Sequence, residues 1–192
     1  MDARGSTPGV FVPYRTLHGN TMATTTTNGK ATTVREQAKE AFGFVPNLID
    51  EMATNNPAVA QTYLASNGAI ADGLLSAAEQ QVVILAISGY NDCHYCTKAH
   101  AAAGKGAGLD EGTIRTIVEG GLPSDDRQRA LVRATKRVLG KRGWLGDADL
   151  SELNTEGVSR GELYEIITLI GIKTMSNYIN HIAQTEVDPQ FS

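Results

Sequence analysis

From Thr33 onward the apolar residues of this chain recur three and four apart, with Gly, Pro and capping residues between the repeats. Val34 to Ala41 reads as a helix stopped by Gly43 and Pro46. A second runs from Pro57 to about Ala71, with Val59, Tyr63 and Ile70 as its apolar stripe. Ser76-Ala-Ala-Glu79 has the form of a capping box and opens a helix that continues through Val82 to Ile87. Asn91 and Asp92 interrupt it, and Asp92 is placed to cap a new helix that begins at Cys93 and ends at Gly108. Asp110 starts a short helix that stops at Gly120-Gly121, and Ser124 caps the next, carrying Leu131, Val132, Thr135, Val138 and Leu139. Ser159-Arg-Gly-Glu162 is a second capping box. It opens the longest helix, with Leu163, Ile166, Ile167, Ile170, Thr174, Met175, Tyr178 and Ile182. No strand alternation of useful length appears, so residues 33–192 are predicted to form one all-α helical bundle.

Residues 1–32 lack this periodicity and hold Gly5, Pro8, Pro13, Gly19 and a Thr-rich polar run after Met22. They read as a flexible extension, in part foreign to the natural chain, with Met22 a candidate native start. The alternative is an ordered arm in which Val10, Phe11, Val12 and Tyr14 dock on a neighbour. Over all 192 residues, 41% are hydrophobic and 20% charged, values of an ordinary globular domain. The net charge of −4 excludes a strongly basic nucleic-acid binder. The longest apolar run, Val82 to Ile87, is six residues against the roughly 20 a membrane helix needs. Without an apolar export segment at the N-terminus, the expected location is the cytoplasm.

The chemistry is concentrated in the segment from Asn91 to His100. Its two cysteines, Cys93 and Cys96, are the only ones in the chain, and His100 follows four residues after the second. A disulfide across so short a loop removes little unfolded-state entropy, so C-x-x-C in a chain without an export signal points to redox chemistry or a metal. Residues i, i+3 and i+7 share a helix face, which puts Cys93, Cys96 and His100 in one stripe. Helix N-terminal N–H groups favour a thiolate, and by position alone Cys93 gains most from them. His100 is the candidate proton acceptor. A metal site built from Cys93, Cys96 and His100 competes with this reading but needs a fourth ligand, for which His18, His94 and His181 are the remaining histidines. Inert core thiols are the third alternative.

With these residues in hand, the chain resembles the AhpD-like, carboxymuconolactone decarboxylase superfamily from roughly Ala38 to its C-terminus. The markers are the segment Phe42 to Leu48, the helix from Leu75 to Ala86, Cys93-His-Tyr-Cys96 with His100, Ala107-Gly-Leu109, and Asn177-Tyr-Ile-Asn-His181. The resemblance implies an AhpD-like helical bundle, homotrimers or hexamers, and peroxidase or disulfide-reductase activity in members with both cysteines. In the alkyl hydroperoxidase D branch the second cysteine attacks, which makes Cys96 peroxidatic and Cys93 resolving. That branch carries a relay glutamate twelve residues before its first cysteine, where this chain has Gln81. It also has a histidine just before its second cysteine, where Tyr95 stands and His94 is one position early. Glu79 is a poor substitute, because two residues along a helix rotate about 200°, and it already has the capping box to complete. Gln81, with Leu85 and Ser88 on following turns, is expected to face Cys96 and His100.

The sequence thus predicts a thiol-dependent peroxidase or disulfide reductase with Cys96, Cys93 and His100 in catalysis and Gln81, Tyr95, Glu79 and His94 as relay or site-shaping candidates. It implies no bound cofactor or metal. Expected partners are a peroxide or small disulfide, a lipoyl- or thioredoxin-like dithiol donor and further copies of the chain, with no nucleic acid and no membrane. Two alternatives are a lactone decarboxylase-type enzyme of the same superfamily and a non-enzymatic metal-binding or thiol-sensing module.

Overall fold

The computed structural model describes residues 22–191, and these form helices joined by short turns. The helices are α1 (Met22–Phe42), α2 (Asn47–Asn55), α3 (Pro57–Ile70), α4 (Ala77–Tyr90), α5 (His94–Gly106), α6 (Glu111–Val118), α7 (Asp126–Lys141), α8 (Asp147–Thr155) and α9 (Arg160–Ala183). A 3₁₀ turn at Pro189–Phe191 closes the described chain. No helix among the described residues is long and apolar enough to cross a membrane.

The centre of the bundle is α4. Val82 through Ser88 are all buried, which is what a helix apolar on every side must achieve. It packs against α5, α6, α7 and α9. Fully burying side chains of this size contributes about 1.5–3 kcal/mol each. A second cluster joins Val34 and Ala38 of α1, Leu48, Ile49 and Met52 of α2, Tyr63 of α3 and both cysteines of the α5 start. The candidate site lies where these two clusters adjoin.

Both capping boxes form, at Ser76/Glu79 and Ser159/Glu162. Arg127 of α7 then binds both of their glutamates, Glu79 at 2.6 Å and Glu162, and also donates to the Gly157 carbonyl at 2.9 Å. One guanidinium therefore fixes the starts of α4 and α9 relative to each other.

Several local expectations need correction. Helix α1 starts at Met22, so residues 22–32 are helical rather than lying outside the first helix. Asn28, Gly29 and Lys30 are exposed and bury nothing, so no apolar period announced this stretch. Residues 1–21, with His18 and the candidate docking residues, lie outside the described residues. Helices α2 and α8 are additional; each has nine residues, too few for a clear period. Asp125, not Ser124, caps α7, accepting from Gln128 N–H. Asp92 is not the cap of α5: it takes a left-handed conformation (φ 52°) and leaves Cys93 as the N-cap.

Candidate active site

That last correction explains how the thiols meet. Cys93 at N-cap and Cys96 at the third helical position of α5 occupy the two places that a capping box brings together by side-chain-to-backbone bonds. Here the exchange is between sulfurs. Cys93 donates its S–H to Cys96, which pulls the Cys96 thiol down to about 7 against the opposing effect of burial. Asn177, Asn180 and the charge of Lys173 lower it further. Asn180 Nδ2 donates to Cys96 Sγ at 3.3 Å. Asn177 Nδ2 makes no well-aligned hydrogen bond yet lies close enough to lower both thiols. Cys93, by contrast, is pushed well above the ordinary thiol range by its bond to Cys96 and by burial. Cys96 is therefore the lowered thiol and Cys93 the raised one, the reverse of what helix position alone favours. Both sulfurs are free of a disulfide.

Cys96 borders a pocket of about 290 Å³, and Cys93 does not. The apolar lining of the pocket is formed by Phe42, Leu48, Ile49, Leu64 and Ile84 among others. The polar groups of the lining are Cys96, His100, Gln81, Lys173, Asn67 and Tyr63. His100 Nδ1 lies 2.9 Å from Gln81 Oε1. With the amide oxygen as acceptor, Nδ1 carries the proton and Nε2 is left with its lone pair. Burial, followed by the positive charge of Lys173, holds the His100 pKa well below its ordinary value, so the ring is neutral at pH 7. Although part of the residue borders the open pocket, desolvation dominates because the ring is packed by protein on its other sides.

The remaining candidates separate clearly. Tyr95 is buried and lines the pocket; its hydroxyl donates to Asp188 Oδ2 at 2.5 Å and accepts from Leu48 N–H at 3.3 Å. Burial and Asp188 push its phenol well above the usual range, so it serves as a clamp. Asp188 also accepts from Asn47 N–H, and Phe191 meets the Tyr95 ring edge-on at 6.0 Å, so the C-terminal segment becomes part of the pocket wall. Glu79 is engaged with Ser76 and Arg127, away from the pocket. His94 is exposed and His181 stacks on Tyr178. Along α4, Ile84 reaches the pocket beside Gln81, whereas Leu85 and Ser88 are buried in the core behind it.

Sequence reasoning missed Lys173 and did not single out Asn177 and Asn180 from their segment. The available signal was their spacing: Lys173, Asn177 and Asn180 stand at i, i+4 and i+7, a polar stripe along one face of the helix. Among the described residues, no three His, Cys, Asp or Glu side chains gather as metal ligands do. His100 turns its Nδ1 to Gln81 rather than to the sulfurs.

Residues 57–137, which span α3 to most of α7 and include both cysteines and His100, match the Carboxymuconolactone decarboxylase family. The fold is shared with an uncharacterized peroxidase-related protein from Silicibacter sp. TM1040 (22% identity, TM-score 0.74, 85% of this chain and 87% of that one). It is shared equally with an uncharacterized peroxidase-related protein from Ralstonia eutropha JMP134, described as an alkylhydroperoxidase AhpD core (21%, TM-score 0.74, 85% and 87%). The debrominase Bmp8 is also similar (18%, TM-score 0.67, 84% and 88%). No curated protein sequence matches significantly. The family match covers the segment that carries both cysteines and His100, and the likeness over the rest of the chain is one of fold.

Proposed function

We propose that this protein is a thiol-dependent oxidoreductase that reduces peroxides or small disulfides, with Cys96 attacking and Cys93 resolving. The observation that supports it most is the asymmetry of the pair: the lowered thiol, Cys96, borders the pocket, and the raised thiol, Cys93, is buried and does not. The Cys96 thiolate attacks the terminal oxygen of a hydroperoxide, forming an S–O bond as the O–O bond breaks. Sulfur is oxidised to the sulfenic acid, and the alkoxide leaves as alcohol after gaining a proton. The free Nε2 of His100 is suited to take the proton that the Cys96 thiol loses on ionising and hand it to the alkoxide, with Gln81 fixing its tautomer. The Cys93 thiol then attacks the sulfenic sulfur, forming the disulfide and releasing water. Two thiol–disulfide exchanges with an external dithiol restore both cysteines and leave the donor as a disulfide.

We place the protein in the reducing cytoplasm, with a lipoyl- or thioredoxin-like dithiol as donor and further copies of the chain as partners. The test is hydroperoxide consumption with dithiol donors of both kinds, comparing wild type with Cys93→Ser and Cys96→Ser. Loss of turnover in both variants is expected. Undiminished activity in both overturns the proposal, and lactone decarboxylation that survives replacing both cysteines would assign the chain to the other branch of its superfamily.

A further inference from the structure

Lys173 is a lysine with nowhere obvious to put its charge. It is 2% exposed, and its Nζ donates to Tyr63 Oη at 3.1 Å and Asn67 Oδ1 at 2.9 Å, both neutral. The ammonium also lies 5.1 Å from the Tyr63 ring centroid. Of its three hydrogens these contacts use two. Among the described residues no carboxylate is within ion-pair distance of it. The buried carboxylates nearby are committed elsewhere. Glu165, two helical turns earlier on α9, accepts from the Leu74 and Leu75 N–H groups and from Gln80 Nε2. Asp188 accepts from Tyr95 and Asn47.

Burying an ammonium without an anion is costly, so a balancing charge has to come from the pocket itself. Cys96 borders that same pocket, and the positive field of Lys173 reaches its sulfur. The thiolate is the one anion the site contains. Oxidation to a disulfide removes that charge and leaves Lys173 where it was, beside an apolar cavity.

We propose that Lys173 makes this pocket an anion-binding site whose occupancy alternates with the redox state of Cys96. With Cys96 as thiolate, the ammonium is balanced and a second anion is disfavoured. With Cys96 in a disulfide with Cys93, the ammonium takes a monoanion carrying an apolar tail, such as a medium-chain carboxylate, the tail lying against Leu64 and Ile49. Reduction regenerates the thiolate and ejects the ligand. The redox half of this inference rests on the dithiol reading of the site; the charge half does not.

Isothermal titration separates the two, with octanoate as the anionic probe and octanamide as its uncharged counterpart. The proteins are the disulfide form, the reduced wild type at about pH 8, above the Cys96 midpoint, and Cys96→Ser, which has no thiolate at that position and cannot form the Cys93–Cys96 disulfide. Octanoate is expected to bind the disulfide form and Cys96→Ser at least about tenfold more tightly than the reduced wild type. Octanamide is expected to bind all three alike, and Lys173→Met to remove the preference for octanoate. Equal octanoate affinity in reduced wild type and Cys96→Ser, or no octanoate binding to either uncharged-sulfur form, overturns the proposal whether or not Lys173→Met folds. If the cysteines fail to cycle with peroxide but Cys96→Ser still prefers octanoate, the anion site stands and the peroxidase reading falls.

Discussion

Gln81 Oε1 and His100 Nδ1 meet at 2.9 Å, and this single contact joins α4 to α5 at the lining of the pocket. A glutamine there fixes the ring but offers no charge to stabilise imidazolium, and His100 accordingly stays well below its ordinary pKa. Gln81→Glu supplies that charge. It should raise the His100 pKa, read by NMR titration, and speed hydroperoxide turnover at neutral pH by about tenfold, a small part of what general acid–base catalysis supplies. A raised His100 pKa with slower turnover would mean that the new carboxylate acts mainly by pushing the Cys96 thiol up.

Glu79 should behave quite differently. Its carboxylate completes a helix cap and binds Arg127, so Glu79→Gln is expected to cost about 1 kcal/mol of stability and leave turnover intact. Abolished turnover with the fold preserved would make Glu79 the relay instead.

Arg127→Ala should destabilise the fold by about 1–2 kcal/mol at neutral pH, because it releases two capping glutamates and the Gly157 carbonyl. The pH dependence has a definite sign. Burial pushes the Glu79 and Glu162 carboxyls up, but Arg127 and the cap serines outweigh it and leave both below the ordinary carboxylate value. The stabilisation is therefore present above that unfolded value and is lost as pH falls through the folded one. Denaturant unfolding of wild type and variant should differ at neutral pH and converge in acid.

Alkylation by iodoacetamide should report Cys96 with a midpoint near 7, the reactive form being the thiolate above it. Cys93→Ser should move the midpoint, because the Cys93 thiol contributes most to lowering Cys96; Asn180→Ala should raise it by a smaller amount. A wild-type midpoint in the ordinary thiol range would remove the electrostatic basis of the site.

Helix α9 carries an exposed stripe of Tyr164, Ile167, Tyr178 and Ile182, the last 86% exposed. Ile166, by contrast, is buried within the protomer, and Ile170, Met175 and Ile179 are partly buried against its core. Light scattering should return a multiple of 20.4 kDa, three or six copies by family resemblance, and Ile182→Glu should lower it. A stable monomer across dilution would assign the stripe no such role.

The sequence made the all-α class and the thiol pair legible, for definite physical reasons. Capping boxes at Ser76/Glu79 and Ser159/Glu162 fix two helix starts by local hydrogen bonding alone, and both form. The i, i+4 spacing of Cys96 and His100 puts both on the pocket side of α5 by helix geometry alone, whereas Cys93 precedes the helix as its N-cap. What local pattern cannot carry is the third dimension. Lys173 and Asn180 reach Cys96 across the interface between α5 and α9, and their separation along the chain exceeds any helical period. Local position favours Cys93, whereas the Cys93 bond first, and then Asn180 and Lys173 of α9, lower Cys96. Helix α1 extended beyond expectation because Asn28, Gly29 and Lys30 are exposed and carry no apolar period that could mark them.

The most direct test of the account is sulfenic acid trapping during a single turnover with cumene hydroperoxide, located by peptide mass spectrometry. In Cys93→Ser, which lacks the resolving thiol, a 1,3-dione probe should modify Cys96. In Cys96→Ser, Cys93 should remain unmodified, because its thiol is buried and does not border the pocket. Equal trapping on Cys93 in Cys96→Ser, or no trapping on Cys96 in Cys93→Ser, would contradict the assignment of Cys96 as the attacking thiolate.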